Sequence, residues 1–307
     1  DCTASIIFQM KIERDWEDFK RRTPHIISLV IDAKAKRCLG AVLAADSKCG
    51  IWDAYVQLKH RICLEGTRKD IISAFYSNQA TSDFFQPEPG CSDPTFSGST
   101  ADVISLMSTV LNLSISHIIA GKLPIGMAIS SPEENGSAGK LDEFKLDVPD
   151  LIQIGQYRMR INRRIYREAR AWVLQNNRKR SQRHETGGLL WGLWDDAVNV
   201  IWIFDASGPP PDSLHDPGHF VCGVHGTLQE HNCRAAQSSG TCGFVGYWHT
   251  HPGMPSHQSP VDIFGMAKLV AHIGLNQRRA LMLIFGRTCG VPKAGMYLYE
   301  SQSLDPE

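Results

Sequence analysis

The chain has 307 residues, and its 32 Lys and Arg balance its 32 Asp and Glu, so the formal net charge is zero. This length allows one large domain or two ordinary ones, and the zero charge argues neither for nor against nucleic-acid binding. The nine cysteines are irregularly spaced and form no C-x-x-C pair, which favours reduced thiols over a disulfide framework or a zinc knuckle. Residues 1–10 lack a secretory signal, and no apolar run is long enough to span a membrane. We therefore expect a cytoplasmic protein without membrane association.

Two strands and a helix are predicted in the N-terminal third. Ile26–Asp32 has the length and β-branching of a buried strand, and Cys38–Ala44 is a second candidate. Ser99 is a hydroxyl cap that precedes apolar residues at helical spacing. Gly121 ends this helix, with Pro124 just beyond.

A polar stretch rich in Gly, Ser and Pro begins at Ser130. Its composition is typical of an interdomain linker or a long loop. The sequence therefore predicts one domain over 1–129, a linker over 130–150 and a second domain over 151–307.

The second domain shows a mixed pattern of strands and helices. Alternation predicts an edge strand at Tyr157–Ile161. Further strands are predicted at Leu189–Trp194, Val198–Phe204, Phe220–Val221, Phe244–His249, Ala280–Phe285 and Gly295–Tyr299. Helices are predicted at Arg163–Asn177, Thr227–Ala236 and Pro260–His272. This combination indicates an α+β domain, in which helices flank a mixed sheet.

The most informative motif joins His249 and His251 to Ser259 and Asp262. Two histidines at i and i+2 on a strand point to the same face, and an aspartate in the first turn of the next helix can supply a third ligand. Two imidazole nitrogens and one carboxylate oxygen leave a fourth position for water, as in catalytic zinc sites. A pair of surface histidines is the competing interpretation, but the fixed offsets of Ser259 and Asp262 favour zinc and a hydrolase.

Glu185 is the candidate general base. It precedes Gly187, Gly188 and an apolar strand, and a carboxylate within hydrogen-bond reach of the attacking water can take its proton. From spacing alone, a solvated glutamate at a strand entrance is the favoured alternative.

These residues resemble the JAMM (MPN-plus) metalloprotease family. The resemblance rests on Glu185-Thr-Gly-Gly followed by H-x-H-x7-S-x2-D, and it covers roughly Ile154 to Tyr299. It implies a JAMM/MPN fold in which His249, His251 and Asp262 bind zinc. It also implies that Glu185 deprotonates the water and that Ser259 stabilises the oxyanion.

The same resemblance implies cleavage of peptide or isopeptide bonds after the C-terminal glycine of ubiquitin-like proteins or their conjugates. Processing of a ubiquitin-like sulfur-carrier protein is one alternative, and a non-catalytic scaffold with a structural zinc is another. Two neighbouring residues are given no catalytic role: His257 is interpreted as a loop residue and Cys242 as a buried small hydrophobe.

The N-terminal region resembles the second half of a ThiF-type, ubiquitin-activating-like adenylation domain, through Asp1–Ser5 and Pro89–Asp102. The resemblance implies a partial α/β domain. The G-x-G-x-x-G nucleotide loop and the paired C-x-x-C motifs of that family are absent from this sequence, so we expect no ATP binding and assign no cofactor-binding residue. Cys91 or Cys63 is a candidate thioester cysteine, although a structural role is favoured for both.

A short basic run, Arg178–Arg180 with Arg183, has no interleaved aromatic residues. A solvated loop, or a rim that contacts an acidic part of a protein substrate, is favoured over a nucleic-acid patch. No nucleic-acid partner is therefore expected, and the oligomeric state is left open.

Overall fold

The computed structural model describes residues 6–21, 25–44, 46–48, 50–76, 98–132, 138–179, 184–271, 279–288 and 291–301. The chain divides into two compact units. The N-terminal unit comprises Asp1–Val148 with Gln237–Thr241, and the C-terminal unit comprises Pro149–Ala236 with Cys242–Glu307.

The N-terminal unit is built on an antiparallel sheet with the strand order β1-β2-β3-β4. Its elements are α1 (Ile6–Arg14), α2 (Trp16–Lys20), β1 (His25–Ile31), β2 (Arg37–Ala44), α3 (Ile51–Glu65), α4 (Lys69–Phe75), α5 (Thr100–Ile119), β3 (Ile125–Ser130) and β4 (Lys140–Lys145). The sequence analysis correctly predicted β1, β2 and α5. The assignment to a partial ThiF-like domain stays a prediction.

The core of this unit lies on both faces of its sheet. The six central residues of β2 are all buried, and they include Leu39, which packs with Leu58 of α3, and Val42, which packs with Val110 of α5. A strand covered on both faces is continuously apolar, which is why β2 could be predicted without an alternating pattern. The predicted cap of α5 is confirmed, because Ser99 Oγ accepts a 3.1 Å hydrogen bond from the Asp102 N–H.

Helix α5 is long and apolar enough, at 20 residues and a mean hydropathy of 1.4, to cross a membrane by length and composition alone. Serine and threonine interrupt the apolar residues of α5 without adding charge, so the helix passes this test although it contains no long continuous apolar run. The core helix of a globular unit passes the same test. Leu106 and Val110 of α5 are buried in the core of the N-terminal unit.

The predicted linker over 130–150 is not one continuous connection. Residues 140–145 within it form β4, which pairs with β3 along its whole length. Four of the six residues of β4 are charged and only Phe144 is buried, so composition alone concealed this edge strand. The two units meet in the sequence between Val148 and Pro149.

The C-terminal unit contains a seven-stranded mixed sheet, with the order β13-β12-β11-β7-β8-β6-β5, and a separate two-stranded hairpin. The sheet strands are β5 (Asp150–Ile154), β6 (Tyr157–Ile161), β7 (Gly187–Asp195), β8 (Val200–Ala206), β11 (Gly243–Thr250), β12 (Arg279–Thr288) and β13 (Val291–Glu300). The hairpin consists of β9 (Leu214–His215) and β10 (Phe220–Val221). The helices are α6 (Arg164–Lys179), α7 (Thr227–Gln237) and α8 (Pro260–Ala271).

Two pairs in this sheet are parallel, β11 with β12 and β6 with β8, and the other pairs are antiparallel. The prediction of β6 as an edge strand was wrong, because β6 lies between β8 and β5. Its alternating sequence is misleading, since Arg160 is buried as well as its apolar neighbours.

Helices cover parts of this sheet. Ile165 and Ala169 of α6 pack into a cluster with Leu190, Ile203 and Trp248, and Met266 and Val270 of α8 pack on Ala280, Met282 and Ile284 of β12. The sheet is thus mixed and flanked by helices, as expected for the C-terminal domain. Its assignment to the JAMM/MPN fold stays a prediction.

Candidate metal centre

Strand β11 delivers both predicted histidine ligands from the interior of the sheet. It lies between β12 and β7, and its last residues continue directly into His251. Alternation along an extended chain places His249 and His251 on one face and Thr250 on the other. Both histidines are buried, at 5% and 6% exposure, which is unusual for imidazoles without partners.

The ligand atoms of the predicted metal set converge on one point. The His249 Nε2 and His251 Nε2 atoms are 3.0 Å apart. Asp262 Oδ1 lies 3.2 Å from His249 Nε2, and Asp262 Oδ2 lies 3.4 Å from His251 Nε2. The structure therefore brings together all three residues that the sequence motif nominated.

These separations join four atoms, because Asp262 Oδ1 faces His249 Nε2 and Asp262 Oδ2 faces His251 Nε2. Atoms this close together can serve as ligands of one metal ion, since ligand atoms about 2.05 Å from a zinc ion stand about 3.3 Å apart at the tetrahedral angle. Two imidazole nitrogens and one carboxylate oxygen also form a donor set typical of catalytic zinc. Glu185 lies next to this set, because its carboxylate oxygen and the ligand nitrogens of His249 and His251 are all within 4.8 Å of one another.

The loop after β11 fixes the orientation of His251. Its Nδ1 atom lies 3.1 Å from the carbonyl oxygen of Pro255. A carbonyl oxygen only accepts hydrogen bonds, so Nδ1 is the donor in this contact, and the ring is turned so that Nε2 faces His249 and Asp262. The Pro255 carbonyl is thus a supporting group that the sequence motif did not reveal.

Ser259 and Asp262 form a reciprocal cap at the start of α8. The Ser259 Oγ atom accepts a 3.2 Å hydrogen bond from the Asp262 N–H, and the Asp262 carboxylate accepts a 2.7 Å hydrogen bond from the Ser259 N–H. This is a capping box, with Pro260 at the first helical position. The cap fixes the Asp262 side chain in the first turn, from which it reaches both histidines.

The charges of these groups reinforce one another. Burial disfavours the Asp262 carboxylate, but hydrogen bonds with His249 and His251 more than offset this effect and hold the Asp262 pKa well below its ordinary value. The hydrogen bond to Asp262 raises the pKa of His251 against the opposing effect of burial. A negative carboxylate among imidazoles is a favourable environment for a cation.

Glu185 occupies a different environment from a solvated glutamate at a strand entrance. It is only 2% exposed, and burial raises the pKa of its carboxyl group, against a smaller opposing effect from His251 and His249. A raised pKa increases the basicity of a carboxylate and brings it closer to that of a general base working near neutral pH.

The two glycines after Glu185 are explained by close backbone contacts. A Cβ atom at Gly187 would lie 2.3 Å from the Trp248 carbonyl oxygen and 2.4 Å from the Phe220 ring, and one at Gly188 would lie 2.1 Å from the Ser207 carbonyl oxygen. Neither position has room for a side chain. Gly187 thus allows β7 to approach β11 closely beside Glu185, and Gly188 allows it to approach the residues that follow β8.

The main chain around Glu185 is fixed from two directions. Thr250 and Thr186 extend the β11–β7 pairing, because the Thr250 N–H donates to the Thr186 carbonyl at 2.9 Å and the Thr186 N–H donates to Thr250 Oγ1 at 3.1 Å. On the other side, the hairpin of β9 and β10 contacts the backbone of Glu185. The sequence predicted the strand Phe220–Val221 but not its partner β9, whose two residues have no detectable periodicity, so the hairpin's contact with Glu185 was missed.

The remaining predicted residues lie away from this centre or outside the described residues. His257 is exposed in the loop before α8, as its interpretation as a loop residue requires. Cys242 is 1% exposed and burial raises its pKa to about 11, which confirms a buried small hydrophobe. Burial also raises the pKa of Cys63, which opposes thiolate chemistry, and Cys91 lies outside the described residues. Of the basic run, Arg180 and Arg183 also lie outside them.

Comparison with known proteins finds a partial similarity to a protein named as an isopeptidase. No protein-family model matches the chain. A segment is 32% identical over 123 residues to a protein of Enterobacter hormaechei subsp. hoffmannii (strain UCI 50) named "CD-NTase/cGAS isopeptidase". Part of this chain is thus similar to an isopeptidase. The match covers 40% of this chain and 64% of the relative, so the chain spans less than two thirds of that protein.

Among solved structures, the chain is similar to the solution structure of protein DSY2949 from Desulfitobacterium hafniense. The two share 19% sequence identity with a TM-score of 0.33, over 48% of this chain and 89% of that protein.

Proposed function

We propose that the C-terminal unit is a zinc-dependent peptidase of the JAMM type, which hydrolyses peptide or isopeptide bonds after the C-terminal glycine of ubiquitin-like proteins. One observation carries the proposal: the convergence of the His249, His251 and Asp262 ligand atoms beside the buried carboxylate of Glu185. Structural zinc sites use all four ligands from the protein, whereas this set has three and an adjacent base.

Each residue of the centre has a distinct task in amide hydrolysis. A zinc ion held by the three ligands would supply Lewis acidity and lower the pKa of water to about 7. Glu185 accepts the proton of the attacking water and passes it to the leaving amine, a role that its raised pKa favours. The Ser259 Oγ atom accepts a bond from the Asp262 N–H, and its own hydrogen can be donated to the developing oxyanion.

Three candidate functions must be distinguished. The similarity to a named isopeptidase supports cleavage of isopeptide bonds, and the motif resemblance supports a ubiquitin-like substrate. Processing of a sulfur-carrier protein would use the same residues on a peptide bond. A scaffold with a structural zinc is less favoured, because a binding module needs neither the Glu185 base nor the Ser259 donor.

The test measures zinc content and cleavage on the same purified preparations of the 307-residue chain. Substrates are ubiquitin-like and sulfur-carrier proteins joined through a C-terminal Gly-Gly to a peptide or to a lysine side chain, with casein as a general peptidase substrate. We expect one zinc per chain, cleavage after the final glycine, and no digestion of casein.

Three variants assign the roles. Glu185→Gln should keep one zinc and lose at least a hundredfold in kcat, since general base catalysis contributes about 10²–10⁴-fold. His251→Ala should lose zinc, whereas His257→Ala, the matched control in the adjoining loop, should retain both zinc and activity. Wild-type turnover by Glu185→Gln, or equal zinc in His251→Ala and wild type, would refute the assignment.

A further inference from the structure

The hairpin of β9 and β10 lies against the main chain of the candidate base. Phe220 pairs with His215 across the hairpin, and the Asp216 N–H donates to the His219 carbonyl at 3.0 Å to close its turn. The hairpin carries no metal ligand and no group assigned to the chemistry. Its contacts with Glu185 therefore need a separate explanation.

Two hydrogen bonds connect this hairpin to Glu185. The Glu185 N–H donates to the Asp216 carbonyl at 3.0 Å. The Glu185 carbonyl oxygen lies 3.0 Å from His215 Nδ1. Since the carbonyl can only accept, Nδ1 must be the protonated nitrogen of His215. The N–H and the carbonyl of Glu185 are thus both bonded to one hairpin, through the adjacent residues Asp216 and His215.

The ring of His215 is itself held in a defined orientation. It lies 5.2 Å from the Phe220 ring centroid at an angle of 51°, and that same Phe220 ring covers Gly187. His215 also lines a cavity of about 220 Å³, together with Thr186 and Trp172. Ring packing is therefore tighter on the Phe220 side, and the bond to Glu185 helps determine where the imidazole lies.

We propose that His215 is a positioning residue, which fixes the main chain of Glu185 so that the carboxylate stays aimed at the metal centre. The inference rests on the proposed role of Glu185 as the base. The direction of a glutamate side chain depends on the position of its backbone. Displacement of the Glu185 carbonyl therefore redirects the Glu185 carboxylate. Misplacement of a catalytic group by about 1 Å can cost about a hundredfold in rate.

Three substitutions separate the hydrogen bond from ring packing. His215→Phe keeps an aromatic ring but has no donor. His215→Asn loses the ring but offers an amide N–H near the position of Nδ1. Leu214→Ala is the matched control, because Leu214 is the neighbouring residue of β9 and is 59% exposed.

In the zinc-loaded 307-residue chain, we expect His215→Phe to lower kcat at least tenfold, with KM within twofold of wild type and zinc still at one per chain. His215→Asn should recover most of kcat, and Leu214→Ala should match wild type. A His215→Phe variant with unchanged kcat would overturn the proposal. So would loss of its zinc, or equal damage by His215→Phe and His215→Asn, because either result indicates general disruption of the hairpin.

A second measurement does not require peptidase activity. Amide hydrogen exchange across the segment that contains Glu185 and Thr186 should be faster in His215→Phe than in wild type, and unchanged in Leu214→Ala. If wild-type protein cleaves no substrate but this exchange pattern is found, the proposed function fails while the positioning role stands. Equal exchange in wild type and His215→Phe would show that His215 does not hold this main chain.

Discussion

Ser259 shows how one side chain combines a structural and a chemical task. As the cap of α8, its Oγ accepts from the Asp262 N–H, and as the proposed oxyanion donor it uses the hydroxyl hydrogen. The two tasks use different atoms of the hydroxyl group and can coexist. They can also be separated by substitution, because glycine caps helices nearly as well as serine does, whereas alanine does not.

We predict that Ser259→Ala lowers the free energy of unfolding by about 1 kcal/mol, whereas Ser259→Gly lowers it by only a few tenths. Both variants lack the donor, so both should lose about 10²–10³-fold in kcat. Urea unfolding and steady-state kinetics on the same preparations check this. If Ser259→Gly retains wild-type kcat, the hydroxyl is a cap alone.

At the same scale, the sequence predicted the candidate metal ligands better than the groups that orient the ligands and Glu185. His249, His251 and Asp262 share a fixed spacing, and the structure places them in contact. Pro255 contacts His251 through its backbone carbonyl, and His215 contacts the backbone carbonyl of Glu185. Backbone acceptors carry no residue signature, and a histidine in a two-residue strand has no pattern around it, so these supports needed three-dimensional information.

Among the elements, the start of β7 depends on the absence of side chains. Gly188 faces the Ser207 carbonyl, and a Cβ atom there would lie 2.1 Å from that oxygen. By contrast, a Cβ atom at Gly265, within α8, would meet nothing within 4 Å. Replacement of glycine by alanine should therefore change the free energy of unfolding in opposite directions at Gly188 and Gly265.

We predict that Gly188→Ala lowers the free energy of unfolding by about 1–3 kcal/mol, as backbone shifts from overpacking do. Gly265→Ala should raise it by about 0.5–1 kcal/mol, because alanine is the better helix former. Thermal and urea unfolding provide the measurement. A neutral Gly188→Ala variant would mean that β7 and its neighbours relax without cost.

A carboxyl pair links α6 to β8. The Glu168 Oε2 atom accepts from the Ala206 N–H at 3.1 Å, and Asp205 pairs with Arg234 at 2.6 Å. Burial, with the hydrogen bond shared with Asp205, raises the pKa of Glu168 to about 7. Burial opposes ionisation of Asp205, but the bonds from Glu168 and Arg234 lower its pKa to about 2. The pair therefore shares one proton at mildly acid pH.

This pair predicts a specific pH dependence. Because the folded pKa of Glu168 lies above its ordinary 4.5, its contribution to stability is complete below about pH 4.5 and is lost as the pH rises through about 7. Glu168→Gln mimics the protonated acid, so its free energy of unfolding should decline less than that of wild type between pH 4.5 and 7. Parallel urea titrations would show this, and identical pH slopes would exclude a shared proton.

The elements that the sequence missed share physical reasons. Helix α3 buries polar residues, including Asp53, Gln57 and His60, which obscure its apolar face. Strand β4 is mostly charged, and β5 contributes only five residues at the edge of the sheet. Strands β8 and β12 were found because their burial leaves continuous apolar runs in the sequence, whereas β3, which is also buried, was missed.

At the scale of the whole molecule, the metal centre belongs to one unit. Glu185, His215, His249 and Asp262 all lie in the C-terminal unit, whose principal core cluster is formed by its own residues. The N-terminal unit has separate clusters on its own sheet. Two cores of this kind are expected to unfold as separate cooperative units.

We predict that a fragment starting at Pro149 binds one zinc per chain, and that calorimetry of the full chain resolves two transitions. Only the transition shared with the fragment should shift upward when zinc is added, because a ligand stabilises the unit that binds it. A single transition in the full chain, or a fragment that cannot hold zinc, would show that the two units depend on each other.

The interior position of β11 limits how a substrate can be recognised. β11 pairs with β12 and β7, and β7 pairs with β11 and β8, so the strand that carries His249 and the strand that follows Glu185 are both paired on each side. An incoming peptide tail cannot extend the sheet at either strand, as it does when proteins capture peptides at a free edge. Selectivity must then reside in the segments that surround the centre, the loop before α8 and the hairpin at Glu185. These segments lie outside the seven-stranded sheet, so their sequence can change without altering the strand that positions His249.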